Sequence, residues 1–201
     1  MMLADKIKKY HVVLVSQSPR RRELLKGLEI AFEATSVDAD ESYPSHLQGK
    51  EVPCFITQAK AQAYMPLLQE NTLAITADTV VSIDGKILGK PANKAEAIEM
   101  LRTLSGNKHE VITAVCLFTK RNNRLFNAVS EVYFKPLSDQ EIEHYIDTYQ
   151  PFDKAGSYGV QEWIGYIGIE KIVGSYYNVM GLPIQRLYQE LTHFIQEDEK
   201  I

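Results

Sequence analysis

The stretch V13-L-V-S-Q-S-P-R-R-R-E-L-L-K-G-L-E-I30 decides the reading of the chain. Val12 to Val15 form a short apolar run of β-branched and aliphatic residues, which predicts a buried strand. Ser18 followed by Pro19 is the preferred order of cap and first helical residue, and Leu24, Leu25 and Leu28 then recur at helical spacing. A strand handing over to a helix through a polar turn is the opening of an α/β fold. Arg20, Arg21 and Arg22 stand in the first helical turn, where positive charge opposes the helix dipole at about 0.3–1 kcal/mol each unless an anion compensates. Free backbone N–H groups, the dipole and adjacent guanidinium groups together suit phosphate. A solvated basic turn, salt-bridged to Glu23 or another acid, fits the same residues.

Outward from this turn the alternation of strand and helix continues without repeats, low-complexity tracts or linkers. Apolar residues Phe55, Ile56, Ala59, Ala63 and Leu67 predict a helix from Phe55 to about Leu68 that carries Lys60. "LAITADTVVSI" reads as strand on both sides of Asp78, and Asp84-Gly85 is a two-residue hairpin signal returning through "KILGK". Asn93 with Glu96 resembles a capping box for a helix that Gly106 can end, and Ser138 with Glu141 opens another. "EVITAVCLFTK" and "RLFNAVSEVYF" predict a long antiparallel hairpin, so the sheet is expected to be mixed with flanking helices. "YIGIEKIVG" is expected to be a strand, and a helix from about Pro183 through Ile195 precedes a charged tail that frays.

The 201 residues, 45% hydrophobic and 24% charged, suit one soluble domain or two small lobes. No window approaches the roughly 18 apolar residues of a membrane span, and the N-terminus lacks a secretory pattern, so a cytoplasmic protein without membrane partner is expected. Net charge −4 argues against a nucleic-acid partner and makes any anion site local. Cys54 and Cys116 have apolar neighbours and no zinc spacing, which suits buried free thiols, and the five histidines form no metal-binding pair.

Asp78 brings a carboxylate to an apparent break in an apolar strand, where a polar residue should line an edge or cleft. Beside a triphosphate it would be repelled by about 4 kcal/mol per charge pair at about 4 Å and an effective dielectric near 20. A bridging Mg²⁺ removes that objection, and Asp38, Asp40 and Glu41 offer acidic partners, although such loops are more often only solvated. "GKILGKP" is not a P-loop, because it is one residue short and Pro91 replaces the Ser or Thr, but Lys90 remains a candidate phosphate contact. Gln161, in the glycine-containing loop Pro151–Gln161, offers an amide that can pair with a pyrimidine edge; on spacing alone a surface amide fits as well. Asp153 and Lys154 read as a plain loop ion pair.

Together "SQSPRRRELL", the "AKA" around Lys60, "ADTVV", "GKILGKP", "MLRTLSGNKHEVITAV", "DKAGSYGVQ" and "GSYYNVMGLPI" resemble the Maf family of nucleoside triphosphate pyrophosphatases from about Val12 to Leu191. Ser-Pro-Arg-Arg, Ala-Asp-Thr and Tyr-Gly-Val-Gln are similar to its dTTP/UTP branch. The resemblance implies a single catalytic domain over 1–201, with an N-terminal extension (1–11), a core (12–195) and a tail (196–201). It implies two lobes around a nucleotide cleft, similar to that of the inosine triphosphate pyrophosphatases. It further implies Asp78 as catalytic proton acceptor, and Arg20, Thr79 and Gln161 as the positions that set base preference. Ser18, Arg20, Arg21, Lys60 and Lys90 are then expected on the phosphates, Glu41 and Asp78 on a divalent Mg or Mn ion, and a homodimer as assembly. A pyrophosphatase of other base preference, or a nucleotide-binding regulator of cell division with little turnover, are the alternatives. The family often has Gly-Glu-Pro and then Gln-Gly around the late loop, where this chain has Tyr149-Gln150-Pro151 and Gln161-Glu162.

Overall fold

The computed structural model describes residues 2–198. The chain forms two compact units. The first runs to Asp78, resumes over Thr113–Ala128 and includes the chain from Gly181 onward; the second comprises Thr79–Ile112 and Val129–Met180. In chain order the elements are α1 (Leu3–Lys6), β1 (His11–Val15), α2 (Pro19–Lys26), β2 (Glu33–Thr35), α3 (Glu51–Tyr64), β3 (Thr72–Ile83), β4 (Lys86–Leu88), α4 (Lys94–Leu104), β5 (Lys108–Phe118), β6 (Asn123–Phe134), α5 (Asp139–Tyr149), α6 (Trp163–Gly168), β7 (Ile169–Val173), α7 (Tyr176–Val179) and α8 (Ile184–Asp198). The strands pair in the order β2-β1-β3-β5-β6-β7, with β4 on β3. β1 is parallel to β2 and β3, whereas β3/β4 and β6/β7 are antiparallel, so the sheet is mixed as the sequence predicts.

In the first unit the register of β1 on β3 sets Val13 beside Ala74 and Val15 beside Thr76. Val13, Val15, Ala61, Leu68, Ala74, Cys116 and Phe118 form one buried cluster there. Parallel strands are covered on both faces, which is why β1 and β3 are apolar runs rather than alternations. α8 buries Leu187, Leu191, Phe194 and Ile195. Burial pushes the Cys116 thiol up to about 12, so it packs as a small apolar group; Cys54 is only half-buried.

The second unit has its own core, in which Val81, Leu101, Leu104, Val111, Val132, Phe134, Ile142, Tyr145 and Ile164 are buried. Asp84 and Gly85 both take the left-handed conformation at φ 49° and 76° and pair Ile83 with Lys86, the two-residue hairpin expected from their sequence. Asn93 Oδ1 accepts from Glu96 N, and Ser138 forms a complete capping box with Glu141.

Four expectations are corrected. α3 begins at Glu51, not Phe55, because Cys54 N donates to Lys50 O and closes the first turn, Glu51 Oε2 accepts from Gln48 N just ahead of it, and Pro53 costs nothing where helical N–H groups lack partners. Its buried face is Val52, Ile56, Thr57 and Ala61, leaving Phe55 and Leu67 at 39% and 61% exposure. β3 passes through Asp78 without a break. Tyr166 to Gly168 are helical rather than strand, since Gly165 N donates to Glu162 O and closes the first turn of α6. α8 continues past Ile195 to Asp198, a buried carboxylate that accepts from Tyr10 Oη at 2.7 Å and Thr119 Oγ1 at 2.9 Å. The rest of the expected frayed tail, 199–201, lies outside the described residues. The N-terminal segment is an ordered part of the first unit, with Leu3 and Ile7 buried. No helix among the described residues is long and apolar enough to cross a membrane.

Candidate functional site

A single buried contact sets the first unit's polar site. Thr76 Oγ1 donates to Thr57 O at 3.1 Å, and Thr57 Oγ1 donates to Ala114 O at 3.4 Å, both threonines fully buried. Asp78 lies two residues beyond Thr76, on the same face of β3, and Lys60 lies one helical turn beyond Thr57. The Thr57–Thr76 bond therefore aligns helix and strand so that Lys60 Nζ reaches Asp78 Oδ1 at 2.7 Å. The same ammonium lies 2.9 Å from Glu41 Oε1. Lys60 and Asp78 side chains are 15% and 13% exposed, against 49% for Glu41. Of the three loop acids, only Glu41 reaches Lys60. Asp40 instead accepts from Ser42 N at 2.9 Å, a bond that holds its carboxyl below the usual range.

The arginine turn has an internal logic that its sequence does not reveal. Ser18 caps α2 by accepting from Arg21 N, and Ser16 Oγ accepts from Ser18 N at 3.2 Å. Arg21 is half-buried; its Nε donates to Gly181 O at 2.8 Å and its Nη1 to Ala77 O at 3.0 Å. This guanidinium thus bolts the first turn of α2 to the residue preceding Asp78 and to the entry of α8. Its pKa is lowered chiefly by desolvation, with Arg20 adding to the effect and Asp78 and Glu41 opposing it; an arginine retains its charge regardless. Arg22 Nη2 makes a long contact to Ser16 O at 3.5 Å. Ser16, the Ala77 carbonyl and the Gly181 carbonyl were not signalled by sequence, since two of these acceptors are backbone groups that every residue carries.

Thr79, Lys90 and Gln161 belong to the second unit. Thr79 follows Asp78 on β3 and is half-buried; Lys90 is exposed, next to Gly89, whose carbonyl accepts from Gly156 N at 3.0 Å. Gln161 is half-buried, and its Oε1 is shielded from solvent with no hydrogen-bond partner. Asp153 and Lys154 are not the plain loop pair expected. Lys154 is 8% exposed and its Nζ lies 2.7 Å from Asp153 Oδ1 and 3.2 Å from Glu162 Oε1.

Glu41 and Asp78 form a donor set for a divalent ion. Both are hard carboxylate oxygens already gathered on one cationic centre, the Lys60 ammonium. No group of three or more His, Cys, Asp or Glu gathers among the described residues. Two carboxylates fit Mg²⁺, which usually takes one or two protein carboxylates and completes its shell with water and substrate phosphates.

The Maf-like protein family model matches residues 11–194. The chain is 54% identical over 193 residues to a dTTP/UTP pyrophosphatase of Parabacteroides distasonis, covering 96% of this chain and 100% of the relative. It is likewise 54% identical over 195 residues to a dTTP/UTP pyrophosphatase of Porphyromonas gingivalis, covering 96% and 98%. Among solved structures it is similar to the Staphylococcus aureus Ham1 protein at 12% identity, over 62% of this chain and 71% of that one, with a TM-score of 0.47. With its matched length running from β1 into α8, the chain belongs to the Maf-like protein family.

Proposed function

We propose that this protein is a nucleoside triphosphate pyrophosphatase that converts dTTP and UTP to the monophosphate and pyrophosphate. The observation that carries the reading is the Glu41–Lys60–Asp78 constellation, a shielded carboxylate held by an ammonium beside an arginine-bearing helix start. Relatives at 54% identity that bear the name dTTP/UTP pyrophosphatase support the substrate.

In this reading a water oxygen forms a bond to the α-phosphorus while the α–β bridging oxygen leaves with pyrophosphate. Asp78 orients the water and accepts its proton. Lys60, Arg20, Arg21 and Lys90 offset the negative charge of the phosphates, and Ser18 holds the start of α2 in the conformation that exposes its N–H groups. Glu41 and Asp78 would hold a divalent Mg or Mn ion, which supplies Lewis-acid stabilisation of the phosphate oxygens when bound. Thr79, Arg20 and Gln161 set the base preference. Gln161 Oε1, which lacks a partner, is an acceptor for the N3–H that uracil and thymine carry and cytosine lacks.

The test is pyrophosphate release with Mg²⁺ across dTTP, UTP, CTP, GTP, ITP and 7-methyl-GTP, with Asp78→Asn as control. Release from dTTP and UTP above the others, lost in the variant and on chelation of the metal, is expected. Wild-type rates in Asp78→Asn would remove Asp78 from the chemistry, and nucleotide binding without turnover would overturn the activity.

A further inference from the structure

We infer that Tyr145, Glu162 and Lys154 are positioning residues that fix the turn carrying Gln161, and so set the discrimination between pyrimidine bases. The inference rests on the assignment of Gln161 to the base made above. A closed ring of contacts within the second unit ties these residues together.

Gly159, Val160, Gln161 and Glu162 form a four-residue turn closed by Glu162 N donating to Gly159 O at 3.0 Å. Both ends of that turn are tied to one phenol. Gly159 N donates to Tyr145 Oη at 3.0 Å, and Tyr145 Oη donates to Glu162 Oε2 in a short hydrogen bond. Tyr145 is itself fully buried on α5, stacked on Tyr149, so the anchor point cannot drift with solvent-exposed loop motion. Glu162 Oε1 then meets Lys154 Nζ at 3.2 Å, and Lys154 is buried and also paired with Asp153. Gln161 is the third residue of a turn whose first and fourth are held.

The sequence supplies what this ring needs. A Cβ on Gly159 would lie 2.7 Å from Glu162 Cδ, so glycine lets the Glu162 side chain fold back over the turn. A Cβ on Gly165 would lie 1.9 Å from Val160 O, so a second glycine lets α6 close against the same turn. Burial and the neighbouring Glu162 carboxylate raise the Tyr145 pKa, which keeps the phenol protonated as a donor. Glu162, where the family often has Gly after the Gln, is therefore turned inward as a strut and is not a second reader of the base. An amide discriminates between bases only if its direction is fixed, because rotation exchanges donor for acceptor.

The test is the ratio of kcat/KM for dTTP to that for CTP in the full chain, in wild type, Tyr145→Phe, Glu162→Gln and Glu162→Ala, with the melting temperature of each. Tyr145→Phe is expected to lower the ratio about tenfold through a raised KM for dTTP, with kcat nearly kept, as loss of uniform binding requires. Glu162→Ala is expected to do the same, and Glu162→Gln, which keeps an acceptor for the phenol, to fall between it and wild type. A ratio unchanged in Tyr145→Phe and Glu162→Ala overturns the inference, whether or not the melting temperature falls, because the ring would then be structural only. Wild type that discriminates while the variants do so equally leaves the proposed activity standing; wild type without turnover removes both.

Discussion

Lys60 Nζ lies 2.7 Å from Asp78 Oδ1, and the pair is shielded to 15% and 13% side-chain exposure. Removing one member of such a pair strands the other's charge. Lys60→Met leaves Asp78 and Glu41 without their shared cation, and with part of the site open to solvent we expect about 2 kcal/mol of lost stability in urea unfolding, below the cost at a fully buried pair, and a higher KM for dTTP. A variant as stable as wild type would mean that solvent already screens the pair.

Gly165 has no room for a side chain, since a Cβ would sit 1.9 Å from Val160 O and 2.6 Å from its carbonyl carbon. Both are backbone atoms and cannot step aside by a rotamer change. Gly165→Ala is expected to cost about 2–3 kcal/mol, measured by denaturant midpoint at constant slope. An unchanged midpoint would show that α6 and the turn before it can separate.

His109 on β5 packs against Phe134 and Tyr158, with Nε2 2.7 Å from Tyr158 Oη and Nδ1 buried without a partner. Burial pushes its pKa down from 6.5 to about 4. The unfolded chain therefore takes up a proton below about pH 6.5 that the folded chain resists until about pH 4. Stability is full above pH 6.5 and is lost as pH falls through that window, by about 3 kcal/mol in all. His109→Phe keeps the ring packing without the titration. The difference in unfolding free energy between wild type and this variant should fall between pH 7 and pH 4; a flat difference would assign the acid sensitivity elsewhere.

Asp198 accepts from Tyr10 and Thr119 and so ties the end of α8 to the N-terminal segment and to the β5–β6 connection. Asp198→Ala leaves a buried threonine hydroxyl and a phenol to find other acceptors, at about 1–3 kcal/mol. Tyr10→Phe should cost less, since it removes a donor and leaves Asp198 its second bond. Equal, negligible effects would restore the frayed tail that the charged sequence suggests.

The order and type of most elements follow from local sequence. Ser18-Pro19 marked the start of α2, Asp84-Gly85 the β3–β4 hairpin, and Ser138 with Glu141 the start of α5, because caps and tight turns depend on side chains and φ values local to a few residues. Arg21, Lys60 and Asp78 were also legible as charged residues on or beside apolar elements, which need partners. Which partners they take was decided only in three dimensions. That Lys60 meets Asp78 depends on Thr57 bonding Thr76 across 19 residues, and that Arg21 turns inward depends on the carbonyls of Ala77 and Gly181, 56 and 160 residues away. The continuity of β3 through Asp78, the helical Tyr166 and the buried Asp198 were likewise unreadable. Asp78 and Asp198 are polar residues that locally signal an end, but groups distant in sequence, Lys60 for the one and Tyr10 and Thr119 for the other, satisfy them, and only packing brings those groups within bonding reach.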